Sequence, residues 1–203
     1  MAFQKLPSIE YLRQILTYDP VNGWLIWNRR SADLFTWPRI CNSWNAKYAG
    51  TRAGALANDG YRKLTIKYKT YLEHRVIFSL VHGIDIENEI DHINCDRADN
   101  RIENLRLATK SEQCVNNSGQ KRRRSQYKGA YINSVKSQRK FRSSISFGGK
   151  TFYLGVFETA EDAHAAYCAA GMKLHGEFFN DGLSRERNDS DGGNDEYEKS
   201  HAR

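Results

Sequence analysis

The sequence predicts an α+β chain built as two units, and three observations carry the prediction. Short runs alternate apolar and polar residues at strand spacing, longer runs repeat apolar residues at helical spacing, and a polar, cationic stretch at 116–126 divides the chain. The front unit, residues 1–117, reads as a hairpin and helix followed by strand, turn, strand and helix around Asp91-His92. The back unit, 127–180, reads as a small three-stranded antiparallel sheet packed on one helix. Residues 118–126 are the linker between them. Residues 181–203 are an acidic tail with almost nothing to bury, expected to be disordered.

Composition narrows the function classes. The 203 residues include 31 Lys and Arg against 24 Asp and Glu, and the resulting +7 favours a polyanionic partner. The excess is uneven: residues 1–120 carry 16 basic and 13 acidic side chains, 121–180 carry 11 and 4, and 181–203 carry 4 and 7. At 39% hydrophobic and 12% aromatic, the chain as a whole is too rich for disorder. Its longest apolar run, 165–172, falls far short of the roughly 20 residues a spanning helix needs, so no membrane partner is expected. The first residues show no apolar stretch followed by small residues, so the expectation is a cytoplasmic, unsecreted protein. Cys41, Cys95, Cys114 and Cys168 form no closely spaced pair and read as buried thiols. His92, Cys95 and Cys114 would make a zinc set only with a fourth ligand that the sequence does not supply.

Each element has its own signal. Ile9, Leu12, Ile15 and Leu16 have helical spacing, and the helix must end before Asp19-Pro20. Val21-Asn22-Gly23 then turns the chain into a short strand at 24–27. Leu64 and Ile66 share one strand face opposite Lys63, Thr65 and Lys67, which predicts a hairpin with a basic side. Over 71–81, Leu72, Val76, Phe78, Leu80 and Val81 lie around a helix that Gly83 closes in the left-handed conformation. A strand at 90–93 leads into a turn rich in Asn and Asp and returns at 104–108. Thr109 and Glu112 then have capping-box spacing for a helix running through Val115. The Asp, His and Asn side chains gathered here suit a hard cation bound through oxygen and a base titrating near neutrality.

In that order, residues 60–117 resemble the HNH nuclease family and its ββα-metal fold, particularly the homing-endonuclease-like members of phages and mobile introns. His74-Arg75 and the upstream segment 12–23 belong to the same resemblance. It implies that Asp91 binds a divalent metal, magnesium or else manganese, that His92 is the general base, and that Asn104 orients the imidazole. Gln113 stands where the family usually has the second, asparagine ligand; Asn116 and Asn117, one turn onward, are the alternatives. Adjacent strand residues face opposite ways, so Asp91 and His92 serve one phosphate only if the strand bends or they approach it from different directions. His74 is either a second catalytic group or a helical histidine hydrogen-bonded to the hairpin. Arg75, Arg97, Arg101 and Arg106 either neutralise phosphates or are solvated surface charges.

In the back unit, strands at 127–132, 140–147 and 150–157 are separated by Asn133-Ser134 and Gly148-Gly149. A helix begins at Thr159 and Glu161-Asp162, with Ala163, Ala166, Tyr167, Ala170 and Leu174 as its apolar stripe. The phrases Tyr127-Lys128-Gly129, Tyr153-Leu154-Gly155-Val156-Phe157 and Lys173-Leu174-His175-Gly176 make 126–180 similar to the Apetala-type, or ethylene-response-factor, DNA-binding domain. The resemblance implies a sheet laid in the major groove, with Lys128, Tyr131, Asn133, Lys140, Arg142 and Tyr153 on the contacting face. Tyr131, Asn133 and Thr151 stand where the plant proteins commonly have arginine, so their target sequence does not carry over. For Tyr131 and Tyr153, packing within the sheet is the alternative. Lys121, Arg122, Arg123 and Arg124 are a backbone-tracking arm, a solvated linker or a nuclear-import signal.

Together these features predict a metal-dependent DNA endonuclease, of homing type by family analogy, delivered to double-stranded DNA by its C-terminal unit and needing no small-molecule cofactor. The alternative is a non-catalytic, sequence-specific DNA-binding regulator with a degenerate nuclease fold. RNA is disfavoured by the poor access of the A-form major groove. Neither motif fixes an oligomeric state.

Overall fold

The structure, a computed structural model, describes residues 4–116, 127–135 and 138–183, without the side chains of 133–139. Asn117, the cations Lys121 to Arg124, the side chain of Asn133 and the tail from 184 onward lie outside the described residues. What is described is a mixed chain of helices and small antiparallel sheets.

Helix α1 (Ile9–Ile15) starts at Ser8, whose Oγ accepts the Tyr11 N–H at 3.3 Å, and buries Leu12 and Ile15. Leu16 does not extend the helix as its spacing predicts. It turns to extended backbone and opens β1 (Leu16–Asp19), which pairs with β2 (Trp24–Trp27). The Asp19 carboxylate accepts the Val21 and Asn22 N–H groups in the turn between them. Helix α2 (Cys41–Tyr48) follows, in a region where the sequence shows no apolar period. Cation–π contacts take the place of aliphatic packing there, with Arg30 3.9 Å from the Trp44 ring centroid and 4.6 Å from that of Trp27.

The next sheet has the order β3-β4-β5, from β3 (Ala55–Leu56), β4 (Arg62–Ile66) and β5 (Lys69–Leu72). Leu64 and Ile66 are buried, as alternation predicts, and Lys67-Tyr68 makes the tight turn with both residues at positive φ. Tyr71 and Leu72 belong to β5, so helix α3 (Glu73–His82) starts two residues later than its apolar pattern predicts; Gly83 ends it at φ 67°. Strands β6 (Glu89–His92) and β7 (Leu105–Ala108) then pair antiparallel and lead into α4 (Lys110–Asn116). Its capping box is complete: Glu112 Oε2 accepts the Thr109 N–H at 2.7 Å, and Thr109 Oγ1 accepts the Glu112 N–H at 3.3 Å. Leu12, Ile15, Leu25, Leu64, Ile77, Ile90 and Leu105 meet in one core beneath these elements. Each such side chain contributes about 1.5–3 kcal/mol when fully buried.

The back unit is a sheet of order β10-β9-β8, from β8 (Ala130–Val135), β9 (Gln138–Phe147) and β10 (Lys150–Phe157), with α5 (Ala160–His175) against it. Thr159 caps α5 by accepting the Asp162 N–H at 3.1 Å. The alanine stripe is only partly what α5 buries. Ala163 is sealed, but His164 and Gly171 are the other buried residues, His164 being tied to the Lys128 carbonyl at 2.8 Å. At Gly171 a Cβ would lie 1.9 Å from the Phe179 ring, so only glycine lets that ring close over the helix.

The chain then returns to the front unit. Arg106 donates to the Glu177 carbonyl at 2.7 Å and lies 4.0 Å from the Phe178 ring centroid, while Asn180 reaches Cys95 and Asn116. Of the expected buried thiols only Cys41 is buried; Cys114 is exposed, and Cys95 and Cys168 are half-buried. Among the described residues no helix is long and apolar enough to cross a membrane.

Candidate metal and base site

Strand β6 ends on two functional side chains, and its pleat sends them to opposite faces. Asp91, buried, faces its cross-strand partner Arg106. Its Oδ2 accepts Arg106 Nε at 3.0 Å, Arg106 Nη2 at 2.8 Å and Asn116 Nδ2 at 2.9 Å, whereas Oδ1 takes no hydrogen bond among the described residues. Asn116 also donates to the His92 carbonyl at 2.8 Å, so one amide from α4 links the Asp91 carboxylate to the backbone of the next residue.

His92, also buried, looks toward α3. Its ring lies 4.9 Å, centroid to centroid, from that of His74 and 6.0 Å from that of Tyr61, and its Nε2 is 3.0 Å from Asn100 Oδ1. Burial holds the imidazole below its ordinary pKa, opposed by the Asn100 hydrogen bond and the charges of Asp91, Asp96 and Asp99. The ring is therefore neutral at physiological pH, the form a proton acceptor needs.

The hydrogen bond expected of Asn104 is made by Asn100. Register explains the exchange: His92 pairs with Leu105, and one step on, the Ile93 N–H donates to the Asn104 carbonyl, which places Asn104 on the face opposite the imidazole. There Asn104 staples the intervening loop, accepting the Asn94 N–H at 3.0 Å and donating to the Asp99 carbonyl at 2.8 Å. Asn100 in turn donates to Glu73, whose carboxylate accepts Leu25 N at 3.2 Å, Arg62 Nε at 3.0 Å and Asn100 Nδ2 at 3.3 Å. Neither Asn100 nor Glu73 is picked out by the sequence reading. The available signal was Glu73 itself, an acidic residue on the first turn of a helix whose neighbours are mostly apolar, where charge is rarely buried without a partner.

Of the described alternatives for the second donor, Asn116 is the one beside Asp91. Gln113, one turn earlier, is half-buried and bonds no side chain among the described residues. Among the described residues His74 makes no hydrogen bond to the hairpin and its buried Nδ1 has no partner, while Tyr61 and His92 pack on its ring. Burial, aided by His92 and Arg75, pushes its pKa down to about 3. Arg75 is no free phosphate ligand either, since it clamps the carbonyls of Ile86 and Asn88 ahead of β6. Arg101 pairs with Asp99, and Arg97 holds the Asp59 carbonyl across the Tyr61 ring.

The donor set suits a hard divalent cation. Asp91 and Asn116 bring a carboxylate and an amide from two elements to within hydrogen-bond reach, and Oδ1 of Asp91 takes no hydrogen bond among the described residues. The Asn116 amide turns its NH2 to Asp91 Oδ2 and the His92 carbonyl and its oxygen to Asn180 Nδ2, so holding a cation together with Asp91 requires those contacts to give way. Among the described residues no three His, Cys, Asp or Glu side chains gather as a metal site, so the zinc set of His92, Cys95 and Cys114 is not assembled.

Residues 71–115 match the family model described as HNH endonuclease. No curated protein and no solved structure matches the chain. The matched stretch contains α3, β6, β7, Glu73, Asp91, His92 and Asn100, and stops one residue short of Asn116.

In the back unit, Tyr131, Arg142 and Tyr153 are exposed, the tyrosines by 51% and 63%. Cross-strand pairing of Tyr131 with Arg142, and of Tyr153 with Ser144, puts all three on the sheet face away from buried Ser143 and Ile145. Lys140 pairs with exposed Glu158 at 2.9 Å. Lys128, expected on that face, is instead turned inward and donates to the carbonyls of Val115 and Asn180.

Proposed function

We propose that the chain is a metal-dependent DNA endonuclease of HNH type, delivered to double-stranded DNA by its C-terminal unit. The observation that carries this reading is the junction at the end of β6: an aspartate and an asparagine converge on one side, and a neutral histidine held by an asparagine stands on the other. A divalent cation, magnesium or manganese, would be held by Asp91 and Asn116 and would supply charge for the phosphate and the leaving oxygen. His92 takes a proton from the attacking water, and Asp91 and His92 address the phosphodiester from the two faces of the strand. The exposed sheet face bearing Tyr131, Lys140, Arg142 and Tyr153 supports DNA contact in the manner of the Apetala-type domain, and the +7 charge supports a polyanionic substrate. Homing within a phage or mobile element is the biological role we attach to this chemistry.

One observation favours a second reading, a non-catalytic DNA-binding regulator. Arg106 already neutralises Asp91, and the Asn116 amide presents nitrogen rather than oxygen to it. Relaxation of supercoiled plasmid, measured with magnesium, with manganese, with chelator and with His92→Ala, separates the two. Metal-dependent nicking lost in the variant supports the nuclease; DNA binding without cleavage under either metal establishes the regulator.

A further inference from the structure

Glu73 is wholly buried at the start of α3, and its hydrogen bonds among the described residues go to neither Asp91 nor His92. Its carboxylate faces donors: the Leu25 N–H at Oε1, and Arg62 Nε and Asn100 Nδ2 at Oε2. Ion-paired with the Arg62 guanidinium as a carboxylate, Glu73 has only lone pairs on Oε2 to offer Asn100. The Asn100 amide must therefore turn its NH2 to Glu73 and its oxygen to His92. An amide oxygen accepts and never donates, so the proton of the neutral imidazole sits on the nitrogen facing it. Burial raises the Glu73 pKa, and the Leu25 N–H and the nearby Arg62 and Arg52 charges oppose that rise.

We propose that Glu73 is a positioning residue which, through Asn100, fixes the tautomer of His92, placing the proton on Nε2 and leaving the lone pair on Nδ1 as the base. This assignment rests on the nuclease reading for the use of the base, but not for the tautomer itself. The loop that carries Asn100 is held for the purpose by the front hairpin. Tyr18 Oη accepts the Ile102 N–H at 2.9 Å, and Gly23 packs so closely that a Cβ there would lie 2.5 Å from the Arg101 nitrogen.

The test reads the tautomer directly, by nitrogen-15 and proton NMR of the histidine side chains in the full chain without metal, alongside plasmid cleavage. Wild type is expected to show His92 protonated on Nε2. Glu73→Gln can turn an NH2 toward Asn100 and release its amide, so an Nδ1–H population should appear, and cleavage should fall at least about tenfold with DNA affinity unchanged. The exchange Glu73→Gln with Asn100→Asp reverses the donor and acceptor of the pair. It leaves only an acceptor facing Nε2 and should restore both the Nε2–H signal and cleavage. Should Glu73→Gln lose its fold by circular dichroism, Asn100→Ala gives the same readout with the Glu73–Arg62 pair intact. A folded variant with an unchanged tautomer and full cleavage overturns the proposal, as does wild type protonated on Nδ1. Tautomer changes as expected in a protein that never cleaves DNA would uphold the relay and sink the nuclease reading alone.

Discussion

At the scale of single residues, Arg106 decides how the Asp91 carboxylate behaves before any cation arrives. Its guanidinium makes two bonds to one oxygen, Oδ2, in a pair whose side chains are 13% and 6% exposed. A cation drawn to Asp91 must compete with that pair. Arg106→Gln should therefore lower the magnesium concentration needed for cleavage and enlarge the rise in Tm on adding magnesium, because buried Asp91 loses its neutralising partner. Thermal scans across a magnesium series check this, and a smaller magnesium shift in the variant than in wild type refutes it. Asp91→Asn should abolish cutting and leave DNA retention in gel shifts intact. His74 carries a pH prediction of its own. With a folded pKa of about 3 against 6.5 unfolded, the unfolded chain binds the extra proton between those values, so stability rises with pH there. Acidification below about 6.5 thus removes stability at up to about 1.4 kcal/mol per pH unit until the folded group titrates. His74→Phe should flatten the dependence of Tm on pH over this window; an unaltered slope would assign the acid sensitivity elsewhere.

At the scale of elements, the turn between β1 and β2 sets the position of the loop that carries Asn100. Gly23 sits at φ +69° against the Asn100–Arg101 backbone, so Gly23→Ala imposes left-handed strain and a steric clash together. A loss of about 1–3 kcal/mol in stability is expected, with cleavage falling further than stability alone accounts for because Asn100 moves with the loop. Chemical denaturation paired with nicking assays at a temperature where the variant stays folded measures both. Local patterns in the sequence foretold much of this framework: the burial of Leu64 and Ile66 from alternation, the left-handed Gly83, and the reciprocal Thr109–Glu112 cap. Each depends on residues within four positions of one another. Strand β1 was hidden because Leu16 continues the spacing of Leu12 and Ile15, and β3 because two residues carry no period. Asn104 and Asn100 exchanged places for the same reason, since which asparagine meets the imidazole depends on register between strands thirteen residues apart. The Glu73–Asn100 contact joins residues 27 positions apart and has no local signature at all.

At the scale of the whole molecule, the two units meet at the candidate metal ligands. Residues 177–180 touch Arg106 and Asn116, and Lys128 spans from the Val115 carbonyl on α4 to the Asn180 carbonyl beyond α5. This divides the basic residues of the back unit by role. Lys140 and Arg142 lie on or beside the open sheet face, where on the proposed reading they would neutralise phosphates and release counterions, whereas Lys128 holds backbone between units. Lys140→Ala and Arg142→Ala should each weaken DNA binding and reduce the slope of log affinity against log salt by about one, with Tm little changed. Lys128→Ala should do the reverse, lowering Tm by loosening the return of 177–180 onto α4 while leaving the salt slope as in wild type. Salt titrations of binding to duplex DNA, run beside thermal unfolding, distinguish the classes. If Lys128→Ala flattened the salt dependence as Lys140→Ala does, the inward contact would have to open when DNA binds, and the sheet would then approach the duplex by a wider face than the one Tyr131, Arg142 and Tyr153 define.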